Sequence, residues 1–189
     1  MRRLINNSFF LYLLKFGGLF LIFYLGTLLI IGLSSKENIY SSFVDDYLDF
    51  VSVLRYIILK AAFFLLSALN YHPIWIDQYT VGLKGGMSVR MVYSCVGYGV
   101  LSFWSAFILA NHGTFLKKTV WLVGGWMLLL GINILRVVVL IVAINKNRAI
   151  AAEVDHHMVF NIVAYAFIFL LIYFYDRLQK RIPETASEV

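Results

Sequence analysis

The stretch MSVRMVYSCVGYGVLSFWSAFILAN, residues 87–111, changes its hydrophobic pattern halfway along. Up to Tyr93, apolar and polar residues alternate, which is typical of a strand with one covered face. From Val96 to Ala110 nearly all residues are apolar, as in a membrane helix. Cys95 lies at the change of pattern and is the single cysteine of the chain. The sequence therefore predicts a strand that leads into a helix whose N-terminus holds a lone thiol.

The composition of the whole chain indicates a polytopic membrane protein. Of its 189 residues, 61% are hydrophobic and 14% are charged, whereas soluble domains are about half apolar and about a quarter charged. We predict an all-α fold of about five transmembrane or membrane-embedded helices, with a small extracytoplasmic β-hairpin. The Lys and Arg residues are scattered at span ends and form no continuous basic face, so nucleic acid is not an expected partner.

We expect a single integral membrane domain, residues 1–189. Its predicted parts are N-terminal helices, a surface β-hairpin, catalytic helices and a cytoplasmic tail: residues 1–73, 74–94, 95–176 and 177–189. Apolar runs predict the helical spans at residues 16–33, 50–71, 96–110, 119–144 and 156–175.

Alternating runs on both sides of the Lys84-Gly85-Gly86 turn predict the hairpin. A hairpin with open edges cannot lie in lipid, so we expect it on the membrane surface, covering a site.

Basic clusters predict the orientation of the later spans. Lys117-Lys118 and the segment 177–181 are typical of cytoplasmic ends. Arg136 follows Lys118 by 18 residues, roughly 27 Å of helix, close to the far side of a ~30 Å core. Cys95, Arg136 and His156 are therefore expected at one depth, at the extracytoplasmic face of the inner (cytoplasmic) membrane. The basic N-terminus leaves two alternatives: the second helix does not fully cross, or the N-terminus lies outside.

Cys95 is the candidate nucleophile. A helix N-terminus stabilises a thiolate, and Gly97 and Gly99 leave room for a substrate backbone. The N–H groups of Val96 and Gly97 could stabilise an oxyanion. The alternative is that Cys95 is a small buried hydrophobe and that the glycines allow close helix packing.

Arg136 is the candidate for binding negative charge, because an ionisable residue in an apolar helix is a functional candidate by default. Asn133 precedes it by three residues and shares its helical face. The alternative is a structural ion pair with Glu153 or Asp155.

A histidine at the start of the last span is the candidate base and acid. His156 and His157 face about 100° apart on a helix, so one of them is expected to face the site, and spacing does not say which. For the same reason we expect no metal there. No cofactor is expected either.

Three features together resemble the exosortase/archaeosortase family, most of all its short Bacteroidota-type exosortases. They are Cys95 and Gly97 after an amphipathic hairpin, the run from Asn133 to Arg136 in an apolar helix, and a histidine opening the last helix. The resemblance covers residues 81–175. Family members often carry Ser or Thr between the Cys and the Gly, where this chain has Val96.

The resemblance implies a membrane cysteine transpeptidase or protease that cleaves C-terminal sorting signals of exported proteins. Cys95 would be the nucleophile, Arg136 would stabilise the carbonyl or oxyanion, and His156 would be the base and acid, because its spacing to Phe160 resembles the family's last helix. The expected partners are an exported protein with a C-terminal sorting helix, and membrane lipid. The alternative is a non-catalytic membrane protein for lipid or small-molecule transport, or for assembly of surface exopolysaccharide.

Overall fold

The computed structural model describes the backbone of residues 2–35, 39–146 and 156–181, and the side chains of residues 9–35, 39–146 and 162–178. These residues form α-helices, one antiparallel sheet and one 3₁₀ turn. The elements in chain order are α1 (Arg2–Ser34), α2 (Ser42–Tyr47), α3 (Phe50–Ala68), β1 (Pro73–Asp77), β2 (Thr80–Leu83), β3 (Ser88–Arg90), the 3₁₀ turn (Tyr93–Val96), α4 (Tyr98–Ala110), α5 (Phe115–Lys146) and α6 (His156–Arg181).

Among the described residues, three helical segments are long and apolar enough to cross a membrane: Phe9–Ser34 of α1, the whole of α3 and the whole of α5. The helix α4 is also apolar but has only 13 residues, about 20 Å, which is shorter than a ~30 Å hydrocarbon core. The chain is thus mostly helical with a small sheet, as expected, whereas the count of about five spans is not established.

One end of the molecule gathers the start of α1, the end of α4 and the end of α6. The Nδ2 of Asn111 donates to the hydroxyl of Tyr12 on α1 at 3.4 Å. The rings of Phe107 on α4 and Tyr175 on α6 meet edge to face, with centroids 5.5 Å apart. The basic residues that flank these contacts share this end: Lys15, Lys118 and Arg177.

The helix α3 packs at the opposite end, against the sheet, the 3₁₀ turn and the later half of α5. Its carboxylate cap, Asp49, accepts the Ser52 N–H at 3.0 Å, which explains why the helix begins at Phe50. The buried residues of α3 recur at the spacing of one face of a helix. The core at this end consists of Val51, Ile58, Leu59, Ala62, Leu66, Val81, Met91, Val96, Val137, Val138 and Ile141.

The sheet contains the predicted hairpin and one strand more. β2 pairs antiparallel with β3, with Val81 opposite Val89, and the predicted turn lies between them. Gly85 has φ +75° in this turn, a backbone conformation that glycine adopts without steric cost.

The additional strand, β1, pairs with the other edge of β2. The carboxylate of Asp77 makes the turn between them by accepting the Tyr79 N–H at 2.7 Å and the Thr80 hydroxyl at 2.8 Å. These two hydrogen bonds hold the pKa of Asp77 below its ordinary value. The sequence indicated one alternating run here, because such a side-chain turn does not interrupt the alternation.

A second core joins α4, α5 and α6 at the basic end of the molecule. It consists of Trp104, Ile108, Leu129, Ile168 and Tyr175. The indole of Trp104 lies directly on Gly125 of α5, where any side chain would overlap it. Its Nε1 donates to the Trp121 carbonyl at 3.1 Å. Close packing at glycine therefore fixes α4 against α5.

Arg55 on α3 is a buried cation, only 5% exposed. Its Nε and Nη2 donate to the Met91 carbonyl at 3.1 and 2.6 Å. Its guanidinium carbon lies 3.8 Å from the centre of the Tyr79 ring and 4.3 Å from that of the Tyr93 ring. A desolvated cation gains from both kinds of contact. Arg55 therefore ties the chain between β3 and the 3₁₀ turn to α3.

We expect Arg55→Met to lower the free energy of unfolding by about 2 kcal/mol, because the Met91 carbonyl would stay buried without its donor. The measurement is the thermal unfolding midpoint in detergent. Lys60→Met is the matched control, because Lys60 is exposed on the same helix and its Nζ lies 5.7 Å from the Tyr56 ring. Equal shifts for the two variants would contradict this role of Arg55.

Candidate functional site

Cys95 lies in the 3₁₀ turn, half-buried against the core around α3, the sheet and α5. Its N–H donates to the Val92 carbonyl at 3.0 Å. The next α-helix, α4, begins three residues later at Tyr98. The expectation that Cys95 opens an α-helix is therefore wrong in detail, because the tighter 3₁₀ turn and Gly97 separate the thiol from that helix.

Gly97 forms the joint between the 3₁₀ turn and α4. Its backbone has φ +78° and ψ 27°, the left-handed conformation that side chains disfavour. A Cβ here would lie 3.8 Å from the Nδ2 of Asn133, an ordinary contact. The requirement for glycine thus comes from the backbone angle and not from lack of space. Gly99, in contrast, faces the Tyr24 ring, 3.5 Å from the position of an added Cβ.

Asn133 on α5 binds the main chain of the thiol segment. Its Nδ2 donates to the carbonyls of Cys95 and Val96, both at 2.9 Å, and the residue is 2% exposed. Its Oδ1 is buried and, within the described part of the chain, has no hydrogen-bond partner. A cavity of about 10 Å³ adjoins Asn133, Gly97 and Ala164, roughly the space that one water needs. The Asn133 amide therefore fixes the position of the thiol through the main-chain carbonyls of Cys95 and Val96.

Arg136 lies one turn further along α5, and its Nη2 is 3.9 Å from the Sγ of Cys95. The structure therefore brings Cys95, Gly97, Asn133 and Arg136 together, although α5 is about forty residues away from the thiol in sequence. The contact places a guanidinium beside the only thiol of the chain.

The remaining member of the predicted site is a histidine at the start of α6. His156 opens α6 and His157 follows it, but the side chains of both lie outside the described residues. Their part in the site stays a prediction.

Further contacts that hold the thiol segment were not foreseen from the sequence. Asn145, near the end of α5, receives the Met87 N–H at 2.7 Å and donates to the Met87 carbonyl at 3.2 Å. The hydroxyls of Ser52 and Tyr93 lie 3.4 Å apart. Arg55 did carry a signal, as a charge in an apolar helix, but the sequence did not reveal its partner.

In the part of the chain that the structure describes, no three His, Cys, Asp or Glu side chains are grouped so that they could hold a metal ion. The site is built from a thiol, a guanidinium and an amide. Such groups suit acyl transfer, in which a sulfur nucleophile attacks a carbonyl and a cation binds the oxygen.

Comparison of the chain with protein-family models, curated proteins and solved structures gives no match. The resemblance to exosortases therefore rests on the residues of this chain alone.

We expect Gly97→Ala to lower the free energy of unfolding by about 1–2 kcal/mol, the cost of a side chain in a left-handed backbone. Gly97→Asn should cost less, because Asn adopts this conformation more readily. Thermal unfolding in detergent measures both. Gly131→Ala is the control, since an added Cβ at this glycine of α5 meets nothing within 4 Å. If Gly97→Ala is as stable as Gly131→Ala, the strained joint is not important.

Proposed function

We propose that this chain is a membrane-embedded cysteine peptidase or transpeptidase of the exosortase/archaeosortase type. It cleaves C-terminal sorting signals of exported proteins at the extracytoplasmic face of the inner membrane. The observation that carries the proposal is the 3.9 Å contact between the Arg136 Nη2 and the Cys95 Sγ. The single thiol of the chain and a guanidinium from an apolar helix meet at one point.

The arrangement around this contact supports chemistry more than simple packing. Placing an arginine in a membrane helix costs about 2.5–3.5 kcal/mol by insertion scales. Asn133 alone already ties α5 to the thiol segment through two carbonyls, so packing does not require a cation at the sulfur. A guanidinium there can stabilise first the thiolate and then the oxygen of a tetrahedral intermediate.

The basic end of the molecule supports the proposed side of the membrane. Lys15, Lys118 and Arg177 share that end, as is typical of cytoplasmic ends. The site lies toward the other end, beside the sheet and α3. With α3 on the sheet side, a cytoplasmic N-terminus and an extracytoplasmic sheet are compatible.

The mechanism begins when a histidine takes the thiol proton of Cys95. The thiolate attacks the scissile carbonyl carbon and forms a C–S bond, while Arg136 binds the carbonyl oxygen. The C–N bond then breaks, and the histidine gives its proton to the leaving amine. An amine or water attacks the resulting thioester, the C–S bond breaks, and the thiol is regenerated.

The periodicity of α6 bears on which histidine takes part. The buried residues of the described part of this helix are Ala164, Ile168 and Tyr175. In a helix with 3.6 residues per turn, position 157 lies within about 20° of each of these three positions around the helix axis. Position 156 is instead in phase with Val163 and Phe174, which are exposed. We therefore assign the proton transfer to His157, in place of the His156 that the family pattern indicated.

The function is tested with a co-expressed exported protein that ends in a short polar motif, a transmembrane helix and a basic tail. We expect Cys95→Ser and Arg136→Ala to abolish its processing, because each removes a group that contacts the reacting atoms, while the enzyme still accumulates in the membrane. Immunoblotting of the substrate measures the change in size. Arg90→Ala is the matched control, since Arg90 is an exposed arginine on β3. Normal processing by Cys95→Ala would refute the proposal.

The histidine assignment has its own test. We expect His157→Ala to lower the rate of processing by about 10²-fold or more, the usual contribution of a general acid or base. His156→Ala should keep the rate within a few-fold of the parent. Pulse-chase labelling of the same substrate measures both rates. If His156→Ala lowers the rate more than His157→Ala does, the proton transfer belongs to His156, as the resemblance implied.

A non-catalytic role in lipid or small-molecule transport is the second candidate, and a groove of about 620 Å³ among apolar helices favours it. The reactivity of the thiol distinguishes the two candidates. A nucleophilic Cys95 should react with iodoacetamide faster than an ordinary thiol, and Arg136→Ala should slow that reaction.

A further inference from the structure

A groove of about 620 Å³ lies between α1 and α6, along the first turns of α4. Phe20 and Tyr24 line it from α1, and Tyr165 and Phe169 line it from α6. The groove has the size of a site for a small ligand, about 300–1,000 Å³.

The groove shares Gly97 with the candidate site. Ser94 and Gly97 both line it, and they flank Cys95 and Val96 in the chain. Gly97 and Gly99 both line the groove and carry no side chain, which allows another backbone to approach closely. An occupant of the groove would therefore reach the nucleophile with one end.

The chemistry of the lining restricts the occupant. Every residue that lines the groove is uncharged, and aromatic side chains predominate. Pockets between membrane helices that hold anionic lipid headgroups present basic residues. The lining thus favours a neutral, apolar chain over an anionic phospholipid.

The volume restricts the length of that chain. A helix about 10 Å wide with a 5.4 Å pitch fills roughly 400 Å³ per turn, so the groove accommodates one to two turns. The remainder of a transmembrane helix would lie in lipid beside α1 and α6. Both helices expose further apolar side chains, including Leu21 and Leu25 of α1 and Leu170 of α6.

We propose that this groove binds the apolar segment of the substrate polypeptide next to the bond that Cys95 attacks. The inference rests on the proposed function and adds where the membrane segment of the substrate docks. The segment enters sideways from the lipid, between α1 and α6, and its polar neighbour reaches the thiol past Gly97.

The experiment measures alkylation of Cys95 and needs no natural substrate. The probe is a twenty-residue Leu-Ala membrane peptide with an N-terminal iodoacetyl group, in phosphatidylcholine vesicles that contain the full-length protein. The thiolate forms a C–S bond and iodide leaves. Phosphatidylethanolamine that is iodoacetylated on its amine is the lipid probe, and iodoacetamide is the small water-soluble probe. Mass spectrometry of the intact protein gives the rates, with Cys95→Ala as the blank.

We expect the peptide to react roughly fivefold faster than the lipid probe at equal membrane mole fraction. Gly99→Leu should slow the peptide roughly fivefold, about 1 kcal/mol, and leave the iodoacetamide rate within about twofold. Gly124→Leu is the matched control, because Gly124 is an exposed helical glycine of α5 with nothing within 4 Å of an added Cβ.

A second pair of variants gives an answer if Gly99→Leu disturbs the fold and changes the iodoacetamide rate. Tyr165 and Tyr173 are both 54% exposed on α6, and only Tyr165 lines the groove. Tyr165→Ala should slow the peptide and Tyr173→Ala should not.

The proposal is overturned if the groove variants leave the peptide rate unchanged. It is also overturned if the lipid probe reacts as fast as the peptide and the same variants slow it, because the groove would then be a lipid site. These rates report access to Cys95 and not turnover, so docking and catalysis fail separately. A chain that docks the peptide but processes no protein would refute the proposed function alone.

Discussion

Non-helical backbone among membrane helices must have its carbonyl groups paired by the protein itself, because lipid offers no donors. The segment that carries Cys95 meets this requirement with two side chains from distant helices. Arg55 of α3 donates to the Met91 carbonyl, and Asn133 of α5 donates to the carbonyls of Cys95 and Val96. These donors act together with the packing of Met91 and Val96 in the core to position the 3₁₀ turn. The place of the thiol and the direction in which α4 leaves the turn both depend on them.

The helix α5 supports both the sheet and the thiol segment, because its polar side chains lie at fixed positions along one continuous helix. Asn133 holds the main chain of the thiol segment, Arg136 reaches the sulfur, and Asn145 holds Met87 at the start of β3. A helix rises about 1.5 Å per residue, so these contacts set the distance between sheet and thiol. The sheet and the thiol therefore cannot shift independently along α5.

The described residues form two hydrophobic cores, and the candidate site lies where they meet. The core around Trp104 binds α4, α5 and α6 through close packing at Gly125. The core around α3 carries the sheet and the thiol segment. Between α1 and α6 the packing leaves the groove that Ser94 and Gly97 also line. The thiol segment is thus supported by α3 and α5, while its neighbours Ser94 and Gly97 line the groove.

The hydrophobic pattern alone determined much of the architecture. Long apolar runs predicted α1, α3 and α5, because the length and composition of a membrane helix are set by the bilayer. The alternation around Lys84-Gly85-Gly86 predicted the pairing of β2 with β3. The basic residues and the helical rise predicted that Cys95 and Arg136 lie at similar depth, and the structure brings them into contact.

Other features were decided only by tertiary structure, because they depend on partners that are distant in the chain. The left-handed backbone of Gly97 follows from the meeting of the 3₁₀ turn with α4, and a glycine in a sequence carries no sign of its φ angle. A lone arginine such as Arg55 indicates that a partner exists but not which one, and here it is the Met91 carbonyl. The groove has no signal in any single helix, since it is the space that α1, α4 and α6 leave between them.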